Sequence, residues 1–182
     1  MGHRLSKIYT RTGDAGETGL ADGSRIAKTD PRVDAMGDVD ELNCVIGALR
    51  ACALPEPVDA ELSEIQHDLF DLGGELSIPG YELVRLEQIN LIEAAIDRLN
   101  EDLPPLKEFV LPGGNEPAAL CHLARAVCRR AERAIARVDN PPANTISASY
   151  INRLSDYLFV AARSLARQNG GREVQWARQR EG

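Results

Sequence analysis

Apolar residues recur at spacings of three and four positions in five separate stretches of the chain. Such spacing places them on one side of an α-helix, so each stretch predicts an amphipathic helix. The first helix is expected to begin at Asp30-Pro31, because an Asp N-cap followed by proline is typical of a helix start. The expected inward positions of the five helices, in order, are Val39, Leu42, Ile46 and Leu49; Leu62, Ile65, Leu69, Leu72 and Leu76; Leu86, Ile89, Ile92, Ile96 and Leu99; Leu120, Leu123, Val127, Ala131 and Ile135; and Ile151, Leu154, Leu158, Ala161 and Leu165.

Proline and glycine separate these stretches, at Ile78-Pro79-Gly80, at Pro104-Pro105 and at Asn140-Pro141-Pro142. Five amphipathic helices joined by short breaks can bury their apolar sides against one another. The predicted fold is therefore all-α, a five-helix bundle with ferritin-like up-and-down packing, in a single domain over residues 1–182. Residues 31–170 would form the bundle, and residues 1–30, rich in Gly, Thr and charge, would precede it. Val174 to Trp176 would be a short closing strand or an extended tail.

Composition favours the same fold and narrows the function. The chain is 43% apolar but only 4% aromatic, which suits a helical bundle better than a β-sandwich or barrel. Lys plus Arg number 21 and Asp plus Glu 28, so the net charge is −7. General nucleic-acid binders are normally basic, so nucleic acid is not an expected partner. A chain of this charge that binds an anion must concentrate its cations locally.

Cysteine spacing and hydropathy add two further expectations. Cys44, Cys52, Cys121 and Cys128 lack the C-x-x-C spacing of zinc or redox sites and fall in helical patterns, which favours buried reduced thiols. The N-terminal residues contain no apolar signal segment, and no apolar run is long enough to span a bilayer. We therefore expect a cytoplasmic protein with no membrane partner.

The segment Tyr9 to Gly19 is rich in glycine and threonine. Gly13, Gly16 and Gly19 allow the backbone to turn so that successive N–H groups point into one concavity, which suits a phosphate chain. The hydroxyls of Thr10, Thr12 and Thr18 would add donors, and Arg11 would add positive charge. The segment is not a Walker A loop, because no Gly-Lys-Ser/Thr follows. Taken alone, it is equally consistent with a floppy terminus.

The fourth helix carries a row of arginines. Arg125, Arg129 and Arg133 recur every four residues and so lie nearly on one line, with Arg130 and Glu132 beside them. Like charges at this spacing repel, and one glutamate neutralises only one of them. A solvated charged surface is the alternative, but on an acidic protein the row favours an anion or an acidic partner.

Smaller features remain on other segments. Asp40 and Glu41 lie between glycines in the first helix, and the fifth helix carries three polar residues close together. Their alternative is ordinary surface polarity. The turn that begins at Phe109 contains an aromatic residue, which is rare in this chain. The alternative interpretation is that this turn is a hydrophobic plug that caps the bundle. Glu64 and His67 form one E-x-x-H, half of a di-iron site whose second half is missing, so no metal bound by protein ligands is expected. The three polar residues of the fifth helix are Asn152, Arg153 and Asp156.

In their order and spacing, these segments resemble the PduO-type ATP:cob(I)alamin adenosyltransferase family. The resemblance spans nearly the whole chain, and its agreement over several motifs is more specific than any one motif. The matching segments are Lys7 to Gly19, Lys28 to Val33, Gly37 to Asn43, Phe109 to Gly114, Ala124 to Arg133 and Tyr150 to Leu158.

The resemblance implies a homotrimer with active sites between neighbouring subunits. One subunit would bind ATP, and the next would complete the site. Asp40 would pair with Arg125 across the interface beside the corrinoid, and Phe109 would lie against the lower face of the corrin. In the family a lysine often stands at the position of Arg11. The expected ATP-binding residues are Thr10, Arg11, Thr12, Gly13, Thr18, Gly19 and Lys28 of one subunit, and Arg129, Arg130, Glu132, Arg133 and Asn152 of the next.

The implied reaction transfers the 5′-deoxyadenosyl group of ATP to the cobalt of cob(I)alamin, with Mg²⁺ accompanying the nucleotide. Cob(I)alamin is itself a strong nucleophile, and the leaving triphosphate needs cations and N–H donors rather than a general base. Loss of the lower axial ligand, where Phe109 would lie, would ease reduction of Co(II). A flavin reductase and an adenosylcobalamin-dependent mutase are possible partners. Two other functions stay open, a carrier that binds without catalysis and a helical protein that docks an acidic partner.

Overall fold

The computed structural model of the protein describes residues 9, 11–139 and 142–177. Five long helices account for most of them, and the predicted all-α five-helix bundle is confirmed. The helices are α1 (Pro31–Arg50), α2 (Glu56–Ser77), α3 (Leu86–Glu101), α4 (Glu116–Ile135) and α5 (Thr145–Ala166). None of them is long and apolar enough to cross a membrane, within the part of the chain that the structure describes.

Side-chain caps define the starts of three helices. Asp30 accepts a hydrogen bond from the Arg32 amide at 2.8 Å, as its position before Pro31 predicts. Asn115 accepts from the amide of Ala118 at 3.0 Å at the start of α4. Asn144 accepts from the amide of Ile146 at 3.0 Å at the start of α5. Each cap satisfies an amide that the first helical turn leaves without a partner.

The bundle is organised around α4, which packs against both α1 and α5. On the outer sides, α1 also packs against α2, and α5 also packs against α3. Two of the expected inward positions are wrong, because Leu123 is 50% exposed and Leu86 is 57% exposed. Leu123 lies toward the edge of a broad apolar stripe, whose buried positions belong instead to small residues such as Ala124 and Ala131. Small side chains let α4 approach two neighbouring helices closely.

The segment before α1 contains a small β-hairpin that the sequence analysis did not predict. Strand β1 (Glu17–Gly19) pairs antiparallel with strand β2 (Arg25–Ala27). The turn between them begins with Leu20, which is buried, and the amide of Ala21 donates to the carbonyl of Ser77 at 3.0 Å. The hairpin is therefore attached to the C-terminal end of α2.

The cysteines follow the prediction only in part. Cys121 and Cys128 are buried, and burial raises the pKa of the Cys121 thiol to about 12. Cys44 is exposed, and Cys52 lies just beyond the end of α1 and is half-buried. The prediction was wrong for these two because Cys44 is not one of the inward-spaced positions of α1 and Cys52 follows the end of that helix.

Candidate active site

The hairpin places Lys28 against the glycine-rich loop. The amide of Lys28 donates to the carbonyl of Gly16 at 2.8 Å, immediately after β2. A Cβ atom at Gly13 would lie 3.3 Å from the Lys28 Nζ and 3.2 Å from the carbonyl oxygen of Glu17. The absence of a side chain at Gly13 therefore leaves room for the Lys28 ammonium beside the backbone of the loop.

Other contacts hold this loop in shape. The Arg25 guanidinium donates to the carbonyl of Thr12 at 2.7 Å from the neighbouring strand. Arg11 has a left-handed backbone with φ of 61°, and its guanidinium lies over the Tyr9 ring, 5.4 Å from the ring centre. A non-glycine residue in this region is strained, and such strain is common at binding sites. Thr18 and Gly19 lie in β1, whereas Thr10 lies outside the described residues.

A groove of about 670 Å³ lies between the loop that follows α3 and the outer surfaces of α4 and α5. We call it the Phe109 groove. Phe109 is 81% exposed on its wall, and both Arg125 and Arg129 lie along it. The Nε atom of Arg125 is buried and has no hydrogen-bond partner among the described residues. Lys107 and Phe159 also line the groove, and neither was predicted from the sequence.

Arg129 is held by its neighbours. Its Nη1 donates to Oδ1 of Asn152 on α5 at 3.1 Å and lies 2.6 Å from a carboxylate oxygen of Glu132. Arg133 donates to the backbone carbonyl of Arg129 at 2.8 Å. The structure thus brings together four of the predicted nucleotide-binding residues. Arg125, Arg129 and Lys107 outnumber the two carboxylates that line the Phe109 groove, Glu108 and Asp156, so its lining keeps a net positive charge.

Arg130 behaves differently from the rest of the row. It pairs with Asp38, at 3.0 Å, and with Glu41, both on α1 of the same chain. The hydrogen bond from Arg130 lowers the pKa of the Glu41 carboxyl. Arg130 therefore joins α4 to α1, and its charge is neutralised within the chain. Its expected contact with ATP stays a prediction.

Asp40 lies in a second groove, of about 580 Å³, between α1 and α2. We call it the Asp40 groove. Its lining includes the exposed Phe70 and also Ser77, whose carbonyl holds the hairpin. The residues that line it differ from those of the Phe109 groove, so Asp40 and Arg125 lie in different grooves of the chain. The chain thus has the hairpin attached beside the Asp40 groove and the arginine row along the Phe109 groove.

Fold and site together define a helical bundle with a cationic groove and a glycine-rich hairpin, suited to an anionic ligand with an apolar part. The chain belongs to the cobalamin adenosyltransferase family, whose sequence model matches residues 8–165. It is 57% identical, over the full length of both chains, to a cobalamin adenosyltransferase from Cupriavidus metallidurans. It is 42% identical to a corrinoid adenosyltransferase from Bacillus subtilis, over 94% of this chain and 93% of that one.

Solved structures agree in fold. A variant of the PduO-type ATP:corrinoid adenosyltransferase from Lactobacillus reuteri, complexed with cobalamin and ATP, superposes with a TM-score of 0.90. It is 35% identical, over 94% of this chain and 97% of that one. A second variant of the same protein, complexed with ATP, has a TM-score of 0.88 at 36% identity, over 93% of this chain and 100% of that one.

Proposed function

We propose that this protein transfers the 5′-deoxyadenosyl group of ATP to the cobalt of cob(I)alamin, giving adenosylcobalamin and triphosphate. The observation that carries the proposal is the grouping of Arg125, Arg129 and Phe109 on one open groove, in a chain whose family match covers both the hairpin and the arginine row. A large corrinoid and a triphosphate need this combination of an apolar wall and fixed cations.

The reaction needs little acid–base chemistry from the protein. The electron pair of Co(I) forms the new bond to the 5′ carbon of ATP, while the bond from that carbon to the triphosphate oxygen breaks. The electrons of the broken bond remain on the triphosphate, and cobalt becomes formally Co(III). The protein contributes position and electrostatic stabilisation, since the corrinoid is itself the nucleophile.

The arginine row suits the charge that develops on the triphosphate. Arg129 is oriented by Asn152 and Glu132 in the free protein, so it need not reorganise when charge appears on the leaving group. Arg133 is fixed to the backbone one turn earlier in the helix. The hairpin of the neighbouring subunit would bind the same triphosphate through its loop amides and Lys28.

The site requires two subunits in this proposal. The hairpin rests on α2 beside the Asp40 groove, whereas the arginines line the Phe109 groove of the same chain. Docking the Asp40 groove of one subunit on the Phe109 groove of the next would pair Asp40 with Arg125. That contact is a heterologous interface, and three copies of it close a homotrimer.

Phe109 would take the place of the lower axial ligand of cobalt. Its ring cannot coordinate a metal, and its 81% exposure leaves it free to contact a planar ligand in the groove. Without that ligand, Co(II) would be easier to reduce. A flavin reductase as electron donor, an adenosylcobalamin-dependent mutase as recipient, and the cytoplasmic location stay predictions.

Mg²⁺ would accompany the triphosphate. Residues 9, 11–139 and 142–177 contain no group of three His, Cys, Asp or Glu side chains placed to hold a metal ion. Glu132 is the carboxylate beside the arginine row. We therefore expect most ligands of Mg²⁺ to be phosphate oxygens and water, as is usual for this ion.

The test is anaerobic conversion of cob(I)alamin and Mg-ATP to adenosylcobalamin by the purified protein, followed by visible absorption. A protein that binds both ligands without converting them would instead be a carrier. A protein that binds neither ATP nor cobalamin would instead be a helical interaction protein.

A further inference from the structure

Phe109 lies in a loop between α3 and α4 that has no regular structure of its own. Its ring is 81% exposed, so packing of the side chain does not fix its position. Two backbone hydrogen bonds to the end of the chain do so instead. The amide of Trp176 donates to the carbonyl of Phe109 at 2.7 Å, and the amide of Leu111 donates to the carbonyl of Val174 at 2.8 Å. Both neighbours of Val110 are thereby fixed to residues 172–177.

That segment is attached to the bundle through Glu173. Its carboxylate forms a bidentate pair with Arg163 of α5, with distances of 2.8 and 3.0 Å, and the two side chains are only 4% and 3% exposed. Arg167 lies 3.6 Å from the same carboxylate. Bidentate pairs between arginine and carboxylate combine strength with a fixed geometry.

Arg163 contacts both the segment 172–177 and the loop that carries Phe109. Besides Glu173, its guanidinium donates to the carbonyl of Pro104 at 2.8 Å, near the start of the loop that carries Phe109. Among the other side chains of the segment, Val174 is 53% exposed and Trp176 is 40% exposed, so the indole adds the main apolar contact. Docking of residues 172–177 therefore depends on one buried ion pair, two backbone hydrogen bonds and the partly buried indole of Trp176.

We propose that residues 172–177 are a positioning clamp for Phe109, with Glu173 anchoring the segment to Arg163 and the Trp176 amide holding the Phe109 carbonyl. The clamp presets the height of the ring in the groove, where the proposed function places it against the corrin. Glu173 and Trp176 are positioning residues, because neither is required to touch the corrinoid or ATP. The inference rests on the proposed function for the identity of the ligand.

A pair of proline variants tests the backbone contact. Trp176→Pro removes the amide that donates to Phe109. Gln175→Pro places a proline one residue earlier, at an amide that takes part in neither of the two hydrogen bonds between this segment and the Phe109 loop. Trp176→Phe keeps the amide and changes only the side chain. Each variant is assayed with chemically reduced cob(I)alamin at varied corrinoid and varied ATP, and the visible spectrum of protein-bound cob(II)alamin with ATP reports the loss of its lower ligand.

We expect Trp176→Pro to raise the KM for the corrinoid roughly tenfold or more, because a misplacement of about 1 Å is costly at a reacting centre. The KM for ATP should stay within about twofold of the original, since the hairpin and arginine row are untouched. The fraction of bound cob(II)alamin that lacks its lower ligand should fall. Gln175→Pro and Trp176→Phe should resemble the unsubstituted protein in all three measurements.

Equal behaviour of the two proline variants would overturn the clamp, as would a change in the KM for ATP as large as that for the corrinoid. Glu173→Gln provides a second test that leaves the Trp176 amide in place, and it should shift the same corrinoid measurements in the same direction. Absence of any turnover by the unsubstituted protein would refute the proposed function instead. The clamp and the reaction can thus fail separately.

Discussion

Arg129 on α4 and Asn152 on α5 are joined by a hydrogen bond of 3.1 Å from the guanidinium to the amide oxygen. The same guanidinium lies 2.6 Å from Glu132. Two partners on two helices hold one cation at the edge of the Phe109 groove. An arginine that is fixed before the ligand arrives stabilises developing charge at little cost in reorganisation.

Arg129→Ala is therefore expected to lower turnover by about 10² or more, the usual effect of removing one preorganised donor. The side chain is 45% exposed, so the free energy of unfolding should fall by no more than about 1 kcal/mol. Steady-state kinetics and thermal unfolding, measured on the same preparation, check both expectations.

Arg98→Ala is the matched control for this variant. Arg98 pairs with Glu61 and is 46% exposed, but it lies on the opposite side of the bundle, in the groove between α2 and α3. Its loss should leave turnover nearly unchanged. Equal losses in the two variants, or near-normal activity of Arg129→Ala, would contradict the assignment of the arginine row.

Mixing of inactive subunits tests whether the site is shared. Lys28→Ala removes the cation held against the glycine-rich loop, and Arg129→Ala removes one cation of the groove, so each variant alone should be nearly inactive. If the two residues act from neighbouring subunits, a site is intact when its hairpin comes from an Arg129→Ala chain and its groove from a Lys28→Ala chain. Random mixing of equal amounts produces this combination at about a quarter of the sites. Activity after the variants are unfolded and refolded together measures this. No recovery in a confirmed mixed assembly would place both residues in one subunit's site.

Gly13→Ala should weaken ATP binding. The added methyl group would lie 3.3 Å from the Lys28 Nζ and 3.2 Å from a backbone carbonyl, so the ammonium must move. We expect roughly a tenfold rise in the Kd for ATP, as for the loss of one charge-assisted contact. Isothermal titration measures it. Ala15→Ser adds one atom to an exposed position of the same turn and should bind ATP normally. A normal Kd for Gly13→Ala would show that Lys28 is not held against this loop in the bound state.

Acid should release residues 172–177 from the bundle. The hydrogen bond from Arg163 lowers the pKa of Glu173 below its ordinary value of 4.5. A carboxyl whose pKa is lower in the docked state favours docking above pH 4.5, and this contribution is lost as the pH falls through the lowered pKa. Trp176 is the only tryptophan in the chain, so its emission reports the release.

We expect the fluorescence emission of Trp176 to shift to longer wavelength on acidification before the far-ultraviolet circular dichroism of the helices falls. Glu173→Gln should show the shifted emission already at neutral pH. Emission that changes only together with the helical signal would mean that the segment does not undock as a separate unit.

The sequence was sufficient for the helices and their order. Apolar spacing and the cap at Asp30 are local features, so a single stretch of chain specifies each of them. The grouping of Arg129 with Glu132 follows from helical periodicity in the same way. The exposure of Leu123 does not, because it depends on how closely two neighbouring helices approach α4.

Contacts between distant residues were not predictable from periodicity. Arg130 meets Asp38 and Glu41 across the bundle, and nothing local in the fourth helix distinguishes it from the other arginines. Glu173 looks like an ordinary charged residue of a terminal segment until the fold brings Arg163 beside it. The β-hairpin was missed because its strands are only three residues long, too short for an alternating pattern to show.

The central claim is adenosyl transfer from ATP to cobalt. Its most direct test is an anaerobic mixture of chemically reduced cob(I)alamin, Mg-ATP and protein, with the visible spectrum recorded over time and the product exposed to light. We predict the spectrum of adenosylcobalamin, its disappearance on photolysis, and formation of one triphosphate per cobalt. Folded protein that leaves confirmed cob(I)alamin unchanged in the presence of Mg-ATP would contradict the claim and leave a role in binding or transfer.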